Sequence, residues 1–177
     1  DRKVLVYDFG GGTFDVSILS VSSGFFDVDA STGEHRLGGD DLDTRIIAYV
    51  TKALQKELGK SDKIDLALQA TLKEAAEEAK IALSTEESTR ITIPFVAENR
   101  PPFTMELTRE TLESLIQDLI ERTRAPMERA LHDASLEKDE IDDILLVGGT
   151  TLIPAVRRFV TEYFGKEPLE GDPHTAV

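Results

Sequence analysis

Cysteine is absent from the 177 residues, which excludes disulfides and thiolate metal sites and is compatible with a reducing compartment. Tryptophan is missing too, and aromatic residues make up only 6%, which argues against a platform for stacking single-stranded nucleic acid. Cations are scarce: 20 Lys and Arg stand against 34 Asp and Glu, a net charge of −14. That balance favours solubility and opposes general binding to nucleic acid or to an acidic membrane. A phosphate ligand therefore has to be gripped by a local site. No apolar run approaches the roughly 18 residues of a membrane span, and no signal peptide is visible, so the cytoplasm is the default location. There is no Gly-x-x-x-x-Gly-Lys loop, no sign of a nucleophile elbow and no internal repeat. His35, His132 and His174 share no metal-ligand spacing and read as surface residues.

Hydrophobic residues reach 40%, enough for a packed core in one domain or in a lobe of two small subdomains. The chain opens on Asp1 without methionine and stops at Val177, and it reads as a piece of a longer protein. Its most informative stretch is Asp8-Phe9-Gly10-Gly11-Gly12-Thr13-Phe14-Asp15. Lys3 to Tyr7 is a short apolar run expected to be a buried strand, and Phe14, Val16 and Ile18 alternate with Asp15, Ser17 and Leu19 in the next. Glycines joining two strands let successive N–H groups line a nest for phosphate oxygens. Asp8 and Asp15, one at each mouth of the turn, would repel phosphate by themselves; hydrated Mg²⁺ between them reconciles the charges. Thr13 adds a hydroxyl near the terminal phosphate. A bare triple glycine leaves a plain hairpin with solvated aspartates equally open.

Phe26, Val28 and Ala30 alternate as a third strand, with a turn expected at Ser31-Thr32-Gly33, so the first three strands suggest a meander. Gly38-Gly39 precedes a helix in which Leu42, Ile46, Tyr49, Val50, Ala53, Leu54 and Leu58 keep helical spacing up to Gly59. Asp40 or Asp41 is its expected N-cap, and the glycine pair is a candidate anion site. A second helix, about Ile64 to Leu83, is expected to bury Leu68, Leu72, Ala75, Ala79 and Leu83. On another of its faces Glu77, Lys80 and Ser84 lie three and four residues apart and can offer one ligand a carboxylate, an ammonium and a hydroxyl, although such trios are ordinarily a solvated face. Ile91, Ile93 and Phe95, then Phe103, Met105 and Leu107, make a hairpin packed on the two helices.

Thr108 is a candidate cap for a helix with Leu112, Leu115, Ile116, Leu119 and Ile120 as its buried stripe. Pro126 is expected to break it and to open another helix through Met127, Ala130, Leu131 and Ala134. Asp142-Asp143 leads into a fully buried strand, Ile144 to Val147, followed by Gly148-Gly149-Thr150 and a helix bearing Val156, Phe159, Val160 and Phe164, closed by Gly165. The double glycine at a helix start is a second candidate site for phosphate or nucleoside, where N–H groups and the helix dipole act together.

The octapeptide closely resembles the second phosphate loop of the seventy-kilodalton heat-shock chaperones of the DnaK type, in the actin-like ATPase superfamily. Leu37 to Asp43 is similar to the family's Leu-Gly-Gly-acid-Asp-apolar-Asp hinge, and Leu72 to Ser84 is similar to its adenosine-holding helix. The resemblance covers nearly the whole chain, in order. It implies a mixed α/β fold: a larger actin-like or ribonuclease-H-like subdomain of residues 1–38 and 116–177, and an inserted smaller α+β subdomain, 39–115, of two helices and a β-hairpin. It implies ATP or ADP with Mg²⁺, and K⁺ as a candidate further cation. Asp8, Thr13 and Asp15 would be catalytic, the two aspartates holding the metal through water. Gly10, Gly11, Gly12, Gly38, Gly39, Gly148, Gly149, Thr150 and Leu152 would line the nucleotide, with Glu77 and Lys80 on ribose and Ser84 on adenine.

By the same resemblance, the parent hydrolyses ATP to drive peptide binding and release in a separate domain. A J-domain co-chaperone and a GrpE-type exchange factor assist it, the latter holding the smaller subdomain. Without the first lobe and the peptide-binding domain, this chain is expected to bind nucleotide weakly and to be inactive alone. Three positions depart from the family: Leu152 stands where an arginine commonly stacks on adenine, Asp172 where asparagine is usual, and His174 where aspartate is usual. The alternatives are an actin-like filament subunit, a sugar- or acetate-kinase lobe, and a non-catalytic docking module for an exchange factor.

Overall fold

The structure, a computed structural model, describes residues 2–59 and 64–170. Its strands are β1 (Arg2–Phe9), β2 (Phe14–Ser22), β3 (Phe25–Glu34), β4 (Ser88–Ile93), β5 (Phe103–Thr108) and β6 (Asp143–Val147). Its helices are α1 (Gly39–Leu58), α2 (Leu66–Ala82), α3 (Arg109–Glu121), α4 (Arg124–Ala134) and α5 (Pro154–Phe164), with short 3-10 turns at Lys138–Glu140 and Gly149–Leu152. The chain divides into two units, Asp1–Asp40 with Gln117–Val177, and Asp41–Ile116. Among the described residues no helix is long and apolar enough to cross a membrane.

In the first unit β1, β2 and β3 pair antiparallel in sequence, and β6 runs parallel to the free side of β1, giving the order β3-β2-β1-β6. Period-two alternation puts Leu5, Tyr7 and Phe9 of β1 on the same buried face as their β2 partners Ile18, Val16 and Phe14. Tyr7, Phe9 and Phe14 touch as an aromatic group, with the Tyr7 and Phe14 rings 4.6 Å apart. The Tyr7 hydroxyl donates to Thr123 Oγ1 at 2.9 Å, and burial pushes its pKa well above the ordinary tyrosine value. Helix α4 packs on β2 and β3 through Met127, Ala130 and Leu131.

Three expectations in this unit are corrected, and one strand carries a detail the sequence did not show. Ser31, Thr32 and Gly33 form no turn; they continue β3, opposite Ser17, Val16 and Asp15. The third strand forms as expected, but Phe26 and Val28 are 69% and 66% exposed, because a register shift at Ile18/Leu19 sets them opposite Val21 and Leu19, on the other face from buried Ala30. The helix break lies at Arg122–Thr123, before Pro126, which occupies the first turn of α4, where a missing N–H costs no helical hydrogen bond. Strand β6 is not buried on both faces: Ile144 and Leu146 are buried while Asp143, Leu145 and Val147 are half-exposed, the same alternation as in the neighbouring inner strand β1, so the sheet is fully covered on one face only.

In the second unit α1 buries Leu42, Ile46, Val50 and Leu54, and Tyr49 turns partly outward. Helix α2 starts at Leu66, capped by Asp65, whose Oδ1 accepts from the Leu68 N–H at 2.8 Å. Its buried stripe is Leu68, Leu72, Ala76 and Ala79, so Ala76 takes the place expected of Ala75, one turn beyond Leu72. Strands β4 and β5 form an antiparallel hairpin that buries Ile91, Ile93, Phe103 and Leu107; Phe95 lies beyond β4 and is exposed. β4 packs on α2. Thr108 Oγ1 accepts from the Thr111 N–H at the start of α3.

Candidate functional site

The loop between β1 and β2 is pinned by its carbonyls. The Gly10 N–H donates to the Thr13 carbonyl at 3.2 Å, closing the turn. The Gly10 carbonyl accepts from the Gly39 N–H at 2.9 Å and from Thr150 Oγ1 at 3.0 Å, and the Gly11 carbonyl accepts from the Asp40 N–H at 2.8 Å. Gly11, Gly12 and Thr13 themselves are exposed. Three glycine segments far apart in sequence, Gly10–Gly12, Gly38–Gly39 and Gly148–Gly149, thus meet at one end of the first unit's sheet.

That meeting needs glycine for space. A Cβ on Gly38 would strike the Gly11 carbonyl, and one on Gly148 would strike the Phe9 carbonyl. Gly148 also sits at φ 91°, a conformation that side chains rarely adopt. The Gly148–Gly149 pair does not open directly onto an α-helix as expected: the 3-10 turn intervenes, and α5 begins only at Pro154. Thr150 is buried through its bond to Gly10, while Leu152 is 45% exposed.

The first turn of α1 also differs from expectation. The helix begins at Gly39, so Asp40 and Asp41 lie inside it instead of capping it, and their carboxylates complement the N-terminal dipole there.

Asp8 and Asp15 are direct partners across the β1–β2 hairpin, on one face of the sheet. Both are half-buried. Burial first, and then the negative charge of Asp15, pushes the Asp8 carboxyl above its ordinary value. Gly33 lies against this pair: it stands opposite Asp15 in β3, and a Cβ there would strike the Phe14 carbonyl and Asp15 Oδ1. Two facing carboxylates, one resisting ionisation, fit a hydrated divalent cation chemically. Among the described residues no group of three or more acidic or histidine side chains could ligate a metal directly.

Glu77, Lys80 and Ser84 belong to the second unit. Glu77 is exposed and Ser84 half-exposed, the latter in the turn that follows α2, which ends at Ala82. Lys80 is not on a solvated face: its side chain is 13% exposed and pairs with Asp43 Oδ1 at 2.8 Å. Asp43 was not singled out as a site residue from sequence, although it shares the apolar spacing of Ile46 and Val50 on α1. Gly33 was missed because its neighbours Ser31 and Thr32 look like turn residues. His35 and His132 are exposed. Asp172 and His174 lie outside the described residues.

Residues 1–177 match the family model described as Hsp70 protein. The chain is 48% identical over 182 residues to the chaperone protein DnaK of Thermotoga neapolitana, covering 100% of this chain and 30% of that protein. It is 47% identical over 181 residues to the chaperone protein DnaK of Thermosipho africanus, with the same coverage. The chaperone protein DnaK of Thermosipho melanesiensis is 48% identical over 171 residues, 95% of this chain and 29% of that protein. The chain spans about 30% of the length of the curated relatives it matches. A match along the whole sequence, on a mixed α/β architecture consistent with the actin-like ATPase fold, makes this chain a member of the Hsp70 family.

Proposed function

We propose that the chain is the ATP- and ADP-binding lobe of a DnaK-type chaperone whose full-length form hydrolyses ATP to drive peptide binding and release. The observation that carries this reading is the convergence of Gly10–Gly12, Gly38–Gly39 and Gly148–Gly149 at one end of the sheet, tied by bonds to the Gly10 carbonyl. Exposed Gly11, Gly12 and Thr13 then offer N–H and hydroxyl donors to phosphate. Gly148, Gly149 and Thr150 shape the nucleoside side of the site, and Leu152 supplies an apolar surface to adenine. Glu77 and Lys80 serve ribose, and Ser84 serves adenine. Asp8 and Asp15 hold Mg²⁺ through water, and the metal, when bound, neutralises phosphate charge. K⁺ is a candidate further cation.

Phosphoryl transfer is mostly positioning and charge neutralisation, so it needs donors on both sides of the triphosphate. In this proposal the chain supplies one side. It binds nucleotide weakly, and full hydrolysis belongs to the longer protein, in the cytoplasm, together with a J-domain co-chaperone and unfolded peptides. The smaller subdomain, 39–115, is the surface held by a GrpE-type exchange factor.

An ADP titration with and without Mg²⁺, followed by amide chemical shifts, tests the reading. Saturable shifts are expected at Gly11, Thr13, Lys80 and Gly149 with a common affinity that Mg²⁺ strengthens. Absence of saturation, or different affinities at those residues, would refute it.

A further inference from the structure

Moving an ion pair out of water is costly, and an apolar pair of similar volume in its place is often no less stable. Asp43 is nevertheless the one charged side chain in the core among the described residues. Its side chain is 4% exposed, and its carboxylate meets Lys80 Nζ at 2.8 Å, joining α1 to the last turn of α2. On α1, Asp43 lies at the spacing of buried Ile46 and Val50; on α2, Lys80 follows buried Ala79. A lysine side chain is a flexible stem bearing a point charge, and a partner that holds the ammonium in place removes its wandering before a ligand arrives. An ammonium has three donors, so a carboxylate can anchor it without using it up.

We infer that Asp43 is a positioning residue for the nucleotide's sugar: its carboxylate fixes the Lys80 ammonium where the ribose hydroxyls are read. This rests on the assignment of Lys80 to ribose proposed above. The contrasting role is a plain latch between α1 and α2, which would support folding and be indifferent to the sugar.

The two roles separate when ADP is compared with 2′,3′-dideoxy-ADP, which lacks both hydroxyls. The unaltered chain is expected to prefer ADP by about tenfold, the worth of one hydrogen bond to a charged group. Asp43→Asn keeps the shape and removes the charge; it is expected to lower that preference to the part that Glu77 supports, while leaving affinity for the dideoxy nucleotide unchanged. If Asp43→Asn does not fold, Asp43→Glu, which keeps the charge but displaces it by one methylene, is measured by the same ratio and is expected to lower it. Equal weakening of both nucleotides, or an unchanged ratio, overturns the inference and leaves a latch. If the unaltered chain binds ADP but makes no distinction, the ribose assignment of Lys80 is what fails.

Discussion

Asp8 faces Asp15 across the hairpin, and two half-buried carboxylates so placed repel each other. Burial and that neighbour raise the Asp8 pKa in the folded state above 3.8, so the folded chain holds a proton more tightly there than the unfolded chain. The cost of the ionised pair is therefore present at neutral pH and fades as pH falls through the raised value. Asp8→Asn is expected to stabilise the metal-free chain by about 0.5 kcal/mol at neutral pH, with the gain lost once pH falls below the ordinary carboxylate value. Urea unfolding at two pH values measures this, and added Mg²⁺ should shrink the gain by lowering the same pKa. The pair was legible in sequence because both aspartates flank one turn. Asp43 was not, because its partner sits on a different helix and only folding brings the two together.

At the scale of elements, β1, β2, α1 and α5 were readable because each has a strong apolar period and a glycine or proline near its ends. Errors gathered where one residue type serves two purposes. Gly33 reads as a turn former but is needed inside β3, where the strand passes Asp15 too closely for a side chain. Pro126 reads as a helix stop but is tolerated in the first turn of α4. Contact of the β6–α5 connection with β1 depends on another such residue. Gly148 and Gly24 both have positive φ, at 91° and 85°, but only Gly148 is pressed against neighbouring backbone. Gly24→Ala should thus cost about 1 kcal/mol from conformation alone, and Gly148→Ala about 3 kcal/mol, since the Phe9 carbonyl must also move. Denaturant midpoints at matched slope check the difference; equal losses would mean that the close approach carries no weight.

For the molecule as a whole, the charge of −14 leaves the proposed phosphate recognition to one local arrangement of backbone, and that arrangement is assembled from segments that composition alone could not bring together. The division into units falls inside α1 and α3, whose amphipathic patterns continue across it, so no linker marks it in the sequence. With one side of the proposed phosphate site, the purified chain is expected to release phosphate from ATP far more slowly than an intact chaperone ATPase domain assayed alongside; matching turnover would overturn that assignment. The parallel pairing of β1 with β6 has a further consequence for how the chain acquires its shape. On a ribosome, Leu5 and Tyr7 emerge long before Ile144 and Leu146, so one edge of β1 stays open while the whole second unit is synthesised. Such high contact order slows folding, and an unsealed edge invites aggregation in the interval.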